Sequence, residues 1–330
     1  MTLISRRLLL AAALVLPALG TLAAGPAAAE PKTIAIANFG DHPILNEAIQ
    51  GFKDEILASG LVEGKDVVFT LDHVNFDATL VPQMIAKIEA SNPALVLTVT
   101  TPVSQNFKNQ MGGKGIPLIF LAVTDPVAGG LVPSPDQADP AMTGASDALN
   151  VDGVFDFTRQ LFPDAKTFGV PFNPGEPNDV ATVEQFKAGA ATHGFEVVEV
   201  GVDNPNDIQP RVAGLAAKVD VIYAPGSSLI QPALAAVAAA ANEAKVPLIN
   251  NNTNMVDTGD IPAAAGVSYD RHGHLAGKLA VRILNGEDPA TVTPAYPGPK
   301  DQVIMISKKA MKAIGKTIPD SFAGCGCIVD

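Results

Sequence analysis

The stretch IPLIFLAVTDPVAGGLV, residues 116–132, decides the fold class. Residues 118–123 are continuously apolar, and a run of this length is typical of a strand that is buried on both faces of a parallel sheet. The run stops at Thr124-Asp125-Pro126, where the proline prevents the strand from continuing. A hydroxyl and a carboxylate therefore stand at the end of a buried strand, which is the place where parallel sheets bind ligands.

The rest of the chain repeats this pattern of short apolar runs and longer helical segments. Such an alternation predicts an α/β fold with parallel sheets flanked by helices. The pattern begins again near residue 145, which predicts two comparable halves with a cleft between them. Strands are predicted at 33–37, 66–71, 94–99, 118–123, 167–170, 196–200, 219–223, 248–249 and 263–267, and helices at 42–59, 80–91, 102–111, 153–162, 178–193, 205–217, 230–243 and 271–285.

The first 29 residues have the composition of an export signal. Arg6-Arg7 precedes the apolar segment 8–19, and Ala27-Ala28-Ala29 offers a small-residue cleavage site before Glu30. The arginine pair fits an ordinary signal and also resembles a twin-arginine signal, so the export route stays open. The sequence predicts a mature chain of about 300 residues, which is long enough for two domains.

The mature chain is predicted to be strongly acidic. The formal charge of the whole sequence is −12, and it becomes −14 because two arginines and no acids leave with the signal. Nucleic-acid binding needs a clustered basic surface, so no nucleic-acid partner is predicted. The one lysine cluster, at residues 308, 309, 312 and 316, is predicted to lie on the solvent face of a last helix.

Both cysteines of the sequence, Cys325 and Cys327, lie in the C-terminal tail. A single intervening residue makes an intrachain disulfide geometrically awkward, given the Cα separation that disulfides prefer. A metal site would need about four ligands, and no nearby histidine supplies them. A disulfide within the tail and a bond to another thiol protein both remain open alternatives.

Nearly every predicted strand end is polar and rich in uncharged hydrogen-bonding groups, a composition that suits oriented binding of a small solute. Each residue alone could instead form a turn or cap a helix, since Asn, Asp and Ser commonly do so. Helix N-termini that open onto the cleft would also supply N–H groups to an anionic part of a ligand. The predicted ligand-binding residues are Asn38, Phe39, Thr101, Thr124, Asp125, Asn173, Glu176, Gly226, Ser227, Ser228, Asn252 and Tyr269.

The sequence gives little support to catalysis. It contains no nucleophile elbow, zinc-protease motif, phosphate-binding loop or dinucleotide fingerprint. His272 and His274 are two residues apart at a predicted helix start, so their side chains point in different directions. We therefore predict no catalytic residue, no metal site and no cofactor.

Several segments resemble one family of transport proteins. Six segments are similar to ABC transporter substrate-binding proteins of the tryptophan/tyrosine-transport type. They are the stretch quoted above, ANFGDHPILNEAIQGFKDEILASGLVEGKDV (residues 37–67), TVTTPVSQNFKN, VPFNPGEPNDVATVEQFKAGAATHGFEV, VDVIYAPGSSL and GVSYDRHGHLAGKLAVRILNGEDPA. HPIL at 42–45, TP at 101–102 and TDPV at 124–127 are the most specific pieces. The similarity covers about residues 33–295.

This resemblance implies a type I periplasmic-binding-protein fold, in which two Rossmann-like lobes are joined by three crossover segments. The crossovers would lie near 144–150, 268–270 and 291–299. The implied N-terminal lobe comprises residues 30–146 and 270–292, and the C-terminal lobe comprises 147–269 and 293–330. Residues 1–29 are predicted to be the signal peptide.

The resemblance also implies a function. The protein would be a monomer in the periplasm that captures an amino acid or a related small molecule by lobe closure and passes it to the membrane permease of an ABC importer. Asn46, Gly226-Ser227 and Asn252 stand where relatives often carry acidic residues, so a neutral or anionic solute is a further possibility. A sensory module that reports occupancy to a signalling receptor is the alternative function.

Overall fold

The computed structural model describes residues 30–330, and the predicted signal peptide lies outside the described residues. The first sheet has five parallel strands in the spatial order β2-β1-β3-β4-β5. Its strands are Lys32–Asn38 (β1), Val67–His73 (β2), Leu95–Val99 (β3), Leu118–Val123 (β4) and Met142–Ser146 (β5).

The second sheet has seven strands in the order β12-β11-β10-β9-β8-β6-β7. All its neighbours are parallel except β10 and β11, which pair antiparallel. Its strands are Thr167–Phe172 (β6), Glu196–Gly201 (β7), Val221–Ala224 (β8), Leu248–Asn250 (β9), Ala263–Val267 (β10), Gln302–Ser307 (β11) and Ile328–Val329 (β12).

Nine α-helices occur among residues 30–330. They are Pro43–Ala58 (α1), Val81–Ala90 (α2), Thr101–Met111 (α3), Val151–Leu161 (α4), Pro177–Ala190 (α5), Ile208–Ala216 (α6), Leu234–Glu243 (α7), Tyr269–Leu284 (α8) and Lys308–Ala313 (α9). Across this same part of the chain, none of the helices combines the length and apolar character needed to cross a bilayer. The two sheets form two lobes, and helices cover both faces of each sheet.

Burial on both faces explains why the strands read as continuous apolar runs. Ile34 and Ile36 of β1 point into the core beneath α1 and α8, while Ala35 and Ala37 point into the core on the opposite face. Successive side chains of a strand alternate between faces, so both faces must be apolar when helices cover both. The same division into two core clusters holds for the second sheet. The α/β prediction is confirmed.

Strand β5 was not predicted, because its sequence MTGAS is neither strongly apolar nor β-branched. All five of its residues are nevertheless buried. A Cβ on Gly144 would lie 2.4 Å from the Phe120 ring, so the glycine leaves room for this large side chain of β4. Packing against the neighbouring strand, and not local propensity, determines this element.

The C-terminal cysteines correct one expectation. Cys325 and Cys327 are joined in a disulfide with a Cα–Cα distance of 5.1 Å, which lies within the range that disulfides adopt. The intervening Gly326 has φ of +65°, a conformation that glycine adopts easily. The view that one intervening residue makes the bond awkward was therefore wrong. The predicted last helix is confirmed as α9, with Lys308, Lys309 and Lys312 exposed, whereas Lys316 lies beyond its end.

Helix α8 packs closely on α1, although the two are far apart in sequence. A Cβ on Gly273 would lie 2.0 Å from the backbone oxygen of Ala48, and one on Gly277 would lie 2.5 Å from the Cβ of Glu55. These two glycines, one helical turn apart, allow the helix backbones to approach. This close packing holds α8 against α1 and beside β4 and β5 of the first sheet.

We expect Gly273→Ala to lower the free energy of unfolding by about 1–3 kcal/mol, because the added methyl group forces the two helices apart. Gly214→Ala in α6 is the matched control, since an added Cβ there has no neighbour within 4 Å. That control should be neutral or slightly stabilising, as alanine is the better helix former. Urea unfolding of both variants measures the difference, and equal stabilities would contradict the close approach.

Candidate functional site

A cavity of about 420 Å³, counting its open mouth, lies between the carboxyl ends of the two sheets. In the first sheet the cavity lies at the ends of β1 and β3, where the strand order reverses. In the second sheet it lies at the end of β8. Such a switch point is the usual ligand site of open α/β sheets. The cavity is lined by Phe39, His42, Ile44, Leu45, Phe76, Thr100, Thr101, Ala122, Gly226, Ser227, Ser228, Gln231, Pro232 and Tyr269.

One wall of the cavity is apolar and aromatic. The rings of Phe39 and Phe76 meet edge to face with centroids 5.7 Å apart, and Ile44, Leu45 and Pro232 add aliphatic surface. Phe76 lies in the loop after β2 at φ of +64°, and its ring lies over Gly40, where a Cβ would come within 2.4 Å. This wall fits a flat apolar group of a ligand.

The N-terminus of α3 forms a polar part of the wall. Thr100 precedes the helix and Thr101 is its first residue. Thr100 has φ of +82° and ψ of 156°, and its side chain does not cap the helix. Its hydroxyl is buried and has no partner among the described residues. Helix N-termini attract anions, so this region suits a carboxylate.

A second polar part, Ser227 and Ser228, is supported by buried acids. The N–H of Ser228 donates to Oε2 of Glu176 at 3.0 Å, and the side chain of Asn173 donates to Oε1 of the same carboxylate at 2.9 Å. Burial, together with the charge of Glu176, raises the pKa of Asp179 well above its usual value. The carboxylate of Glu176 thus lies directly behind the serine loop.

A network of amides holds Gln231 in the cavity wall. Its Nε2 donates to the Pro225 carbonyl and to Oδ1 of Asn250, both at 2.8 Å. Its Oε1 accepts from Nδ2 of Asn252 at 3.1 Å. Asn252 thus acts behind the wall, where it fixes the segment that presents Gln231 and Pro232.

Tyr269 connects the cavity to the crossover segments. Its hydroxyl donates to Oδ2 of Asp147 at 2.8 Å, and burial raises the pKa of this carboxyl. Asp147 follows β5 and Tyr269 begins α8, so the bond joins two places where the chain passes between the sheets. A smaller cavity of about 250 Å³ lies on the far side of Gly226 and is lined in part by Asp147 and Thr124.

His272 fixes the end of β4 from the opposite helix. The N–H of Ala122 donates to its Nε2 at 3.0 Å, and Ala122 has φ of +55° at a bulge of the strand. Burial lowers the pKa of His272 from 6.5 to about 3, so the ring is neutral at pH 7. A neutral ring is required here, because Nε2 must accept.

Comparison with known proteins now adds to this geometry. A sequence model of the family described as ABC transporter substrate binding protein matches residues 33–324. This chain belongs to that family. Its identity to the tyrosine-binding protein of Clostridioides difficile strain R20291 is 31% over 256 residues, which are 78% of this chain and 73% of the relative.

Two solved structures of this class are also similar to the chain. One is the ABC domain in complex with L-Trp from Streptococcus pneumonia, with 27% identity, a TM-score of 0.84 and coverage of 91% of this chain and 100% of the other. The other is a ligand-free, open substrate-binding protein with adhesive properties from Clostridium difficile, with 29% identity, a TM-score of 0.69 and coverage of 90% and 98%. More distant solute-binding proteins at 13% identity share the fold alone. This substrate-binding protein thus has the type I periplasmic-binding-protein fold.

The predicted site residues fall into two groups in this substrate-binding protein. Half of them lie in the cavity wall, where the ends of both sheets bring them together: Phe39, Thr101, Gly226, Ser227, Ser228 and Tyr269. The others lie outside that wall. Thr124 lines the smaller cavity, Asn173, Glu176 and Asn252 support the wall from behind, and Asn38 and Asp125 hold turns.

The two turn-holding residues show how a polar strand end can serve the backbone. Oδ1 of Asp125 accepts from the N–H groups of Val127 and Ala128 at 3.1 and 2.9 Å. Nδ2 of Asn38 donates to the carbonyl of Gly40 at 2.7 Å. These three bonds fix the loops that border the cavity.

Eight residues of the wall were not among the predicted site residues, and four of them carry polar or aromatic side chains: His42, Phe76, Thr100 and Gln231. His42 and Thr100 precede helices and resemble ordinary helix caps in the sequence, although neither side chain caps. Gln231 lies within a predicted helix, whereas the structure has a short 3₁₀ turn there, Gln231–Ala233. Phe76 follows β2 in the segment VNFD, residues 74–77, whose composition is that of an ordinary turn with one aromatic residue.

Proposed function

We propose that this substrate-binding protein captures an aromatic amino acid in the cleft between its lobes and delivers it to the permease of an ABC importer. The observation that carries the proposal is the cavity itself, which combines an aromatic wall with two polar regions at the strand ends of both sheets.

The two kinds of wall match the two ends of such a ligand. Phe39 and Phe76 would pack against the aromatic side chain. The N-terminus of α3 would receive the α-carboxylate. The serine loop, with the carboxylate of Glu176 behind Ser228, would favour the α-ammonium. The names of two relatives, a tyrosine-binding protein and a complex with L-Trp, support the same ligand class.

Lobe closure would trap the ligand, because the wall is made by residues of both sheets and is complete only when the two approach. The chain superposes better on the L-Trp complex than on the ligand-free, open relative, at similar identity. This difference supports a closed arrangement in the present structure. Ligand binding would then shift the population toward the closed form that a permease recognises.

The remaining parts of the proposal concern the setting. Residues 1–29 would direct export and be removed, so that the mature protein acts as a monomer in the periplasm. We place the lobe boundaries near residues 146, 269 and 292, where the chain passes between the sheets.

Calorimetry of residues 30–330 tests the ligand class. The panel comprises L-tryptophan, L-tyrosine, L-phenylalanine, L-leucine, L-arginine and ribose. We expect one site per chain with the tightest binding for aromatic amino acids. Tightest binding of ribose or L-arginine would overturn the proposal, as would the absence of any aromatic binder.

A further inference from the structure

Two residues of the cavity wall each carry a buried polar atom that lacks a hydrogen-bond partner among the described residues. The atoms are Nδ1 of His42 and Oγ1 of Thr100. The two residues are only 8% and 6% exposed. Buried polar groups in folded proteins nearly always have a partner, so two orphans in one cavity indicate groups that a ligand satisfies.

The chemistry of His42 restricts what this partner can be. Burial lowers the pKa of the ring, and the backbone of Gln231 and the charge of Asp41 offset this only in part, so the ring is neutral at pH 7. A neutral imidazole has one N–H donor and one acceptor nitrogen. The Gln231 backbone raises the pKa of the ring and therefore accepts from it; since Nδ1 has no partner in the described part of the chain, we assign the N–H to Nε2 and the acceptor to Nδ1. Its partner must therefore carry an N–H or O–H.

The position of His42 indicates which end of the ligand supplies this donor. The imidazole meets the ring of Phe76 edge to face, with centroids 6.5 Å apart, and Phe76 in turn meets Phe39. The imidazole of His42 thus packs against the aromatic side of the cavity. Thr100 lies instead at the N-terminus of α3, where the carboxylate of the ligand is proposed to bind.

We propose that Nδ1 of His42 accepts a hydrogen bond from the side chain of the aromatic ligand, so that the site selects a phenol O–H or an indole N–H over an unsubstituted ring. This inference rests on the proposed function. Tyrosine and tryptophan would satisfy His42, whereas phenylalanine would leave it buried without a partner. The ligands in the names of the two relatives both carry such a donor.

The discrimination is expected to be large enough to measure. A buried acceptor left without a partner weakens binding by about 10- to 100-fold, because the desolvation of that group is not recovered. Wild-type protein should therefore bind L-phenylalanine about 10- to 100-fold more weakly than the better of L-tyrosine and L-tryptophan.

His42→Leu, measured by calorimetry with all three amino acids, tests the assignment. We expect the variant to lose most of its affinity for the better ligand and to keep or improve its affinity for L-phenylalanine, so that the discrimination falls below about threefold. Retained binding of L-phenylalanine also shows that the variant has folded. His73→Leu, the same substitution at an exposed position of β2, should leave all three affinities unchanged.

Thr100→Val supplies the contrasting pattern. It removes the hydroxyl while keeping a β-branched shape, and it should weaken all three ligands by a similar factor, because all three carry the carboxylate. Unchanged discrimination in His42→Leu would overturn the inference, and so would an equal loss for all three ligands, which would place His42 at the ammonium. Wild-type protein that binds none of the three would overturn the proposed function itself.

Discussion

Between pH 7 and pH 5, the free energy of unfolding of wild-type residues 30–330 is expected to fall by about 2 kcal/mol more than that of the His272→Gln variant. The folded-state pKa of His272 is about 3, against 6.5 for the free side chain. Below pH 6.5 the unfolded chain takes up a proton that the folded chain does not, so stability falls as the pH falls. Over 1.5 pH units this amounts to about 2 kcal/mol.

Glutamine is the appropriate substitution, because its side-chain oxygen can still accept from the N–H of Ala122. The buried acids Asp147 and Asp179 have raised pKa values, so the folded chain binds their protons more tightly and their contribution acts in the opposite direction. Both proteins contain them, and their effect cancels in the difference. Urea unfolding at pH 7, 6 and 5 measures it. Parallel pH profiles would show that His272 does not remain neutral in the fold.

A large effect on binding is also expected from Phe76→Ala, which should weaken an aromatic ligand by about 30-fold. Truncation of a fully buried phenylalanine costs about 3–5 kcal/mol. Phe76 is only half-buried, so we expect its truncation to cost about 2 kcal/mol of binding free energy. Since 1.4 kcal/mol corresponds to a factor of ten in affinity, this loss is about 30-fold. Alanine at φ of +64° adds no bulk, so the loop should keep its course.

Calorimetry with the best ligand of the panel measures this loss. Phe69→Ala is the control, because Phe69 is likewise half-buried but lies on β2 outside the cavity. It should reduce stability without changing affinity. If the two variants bind equally well, the aromatic wall does not contact the ligand.

The fold could be predicted from the sequence wherever the core itself determines the element. Strands β4 and β10 were predicted with their observed limits, because their runs are continuously apolar and bounded by turn residues. Strands β5, β11 and β12 were missed, since β5 consists of small residues, β11 is only partly buried and β12 has only two residues. Their pairing depends on neighbours that are distant in sequence, such as the Phe120 ring above Gly144.

The site could be predicted only in outline, because a sequence gives the location of a strand end but not the direction of its side chains. The rule that ligands lie beyond the carboxyl ends of parallel strands led to Phe39, Thr101 and Ser227, which lie in the cavity wall. The same rule selected Asp125, whose carboxylate holds its own turn. Asparagine, aspartate and serine serve both purposes with equal ease.

Small-angle X-ray scattering of residues 30–330, with and without a saturating aromatic amino acid, tests the central claim most directly. The claim is that both lobes close on the ligand, so the radius of gyration should decrease on binding. His73→Leu should show the same decrease. An unchanged radius of gyration at a ligand concentration that saturates the site by calorimetry would contradict closure as the mechanism of capture.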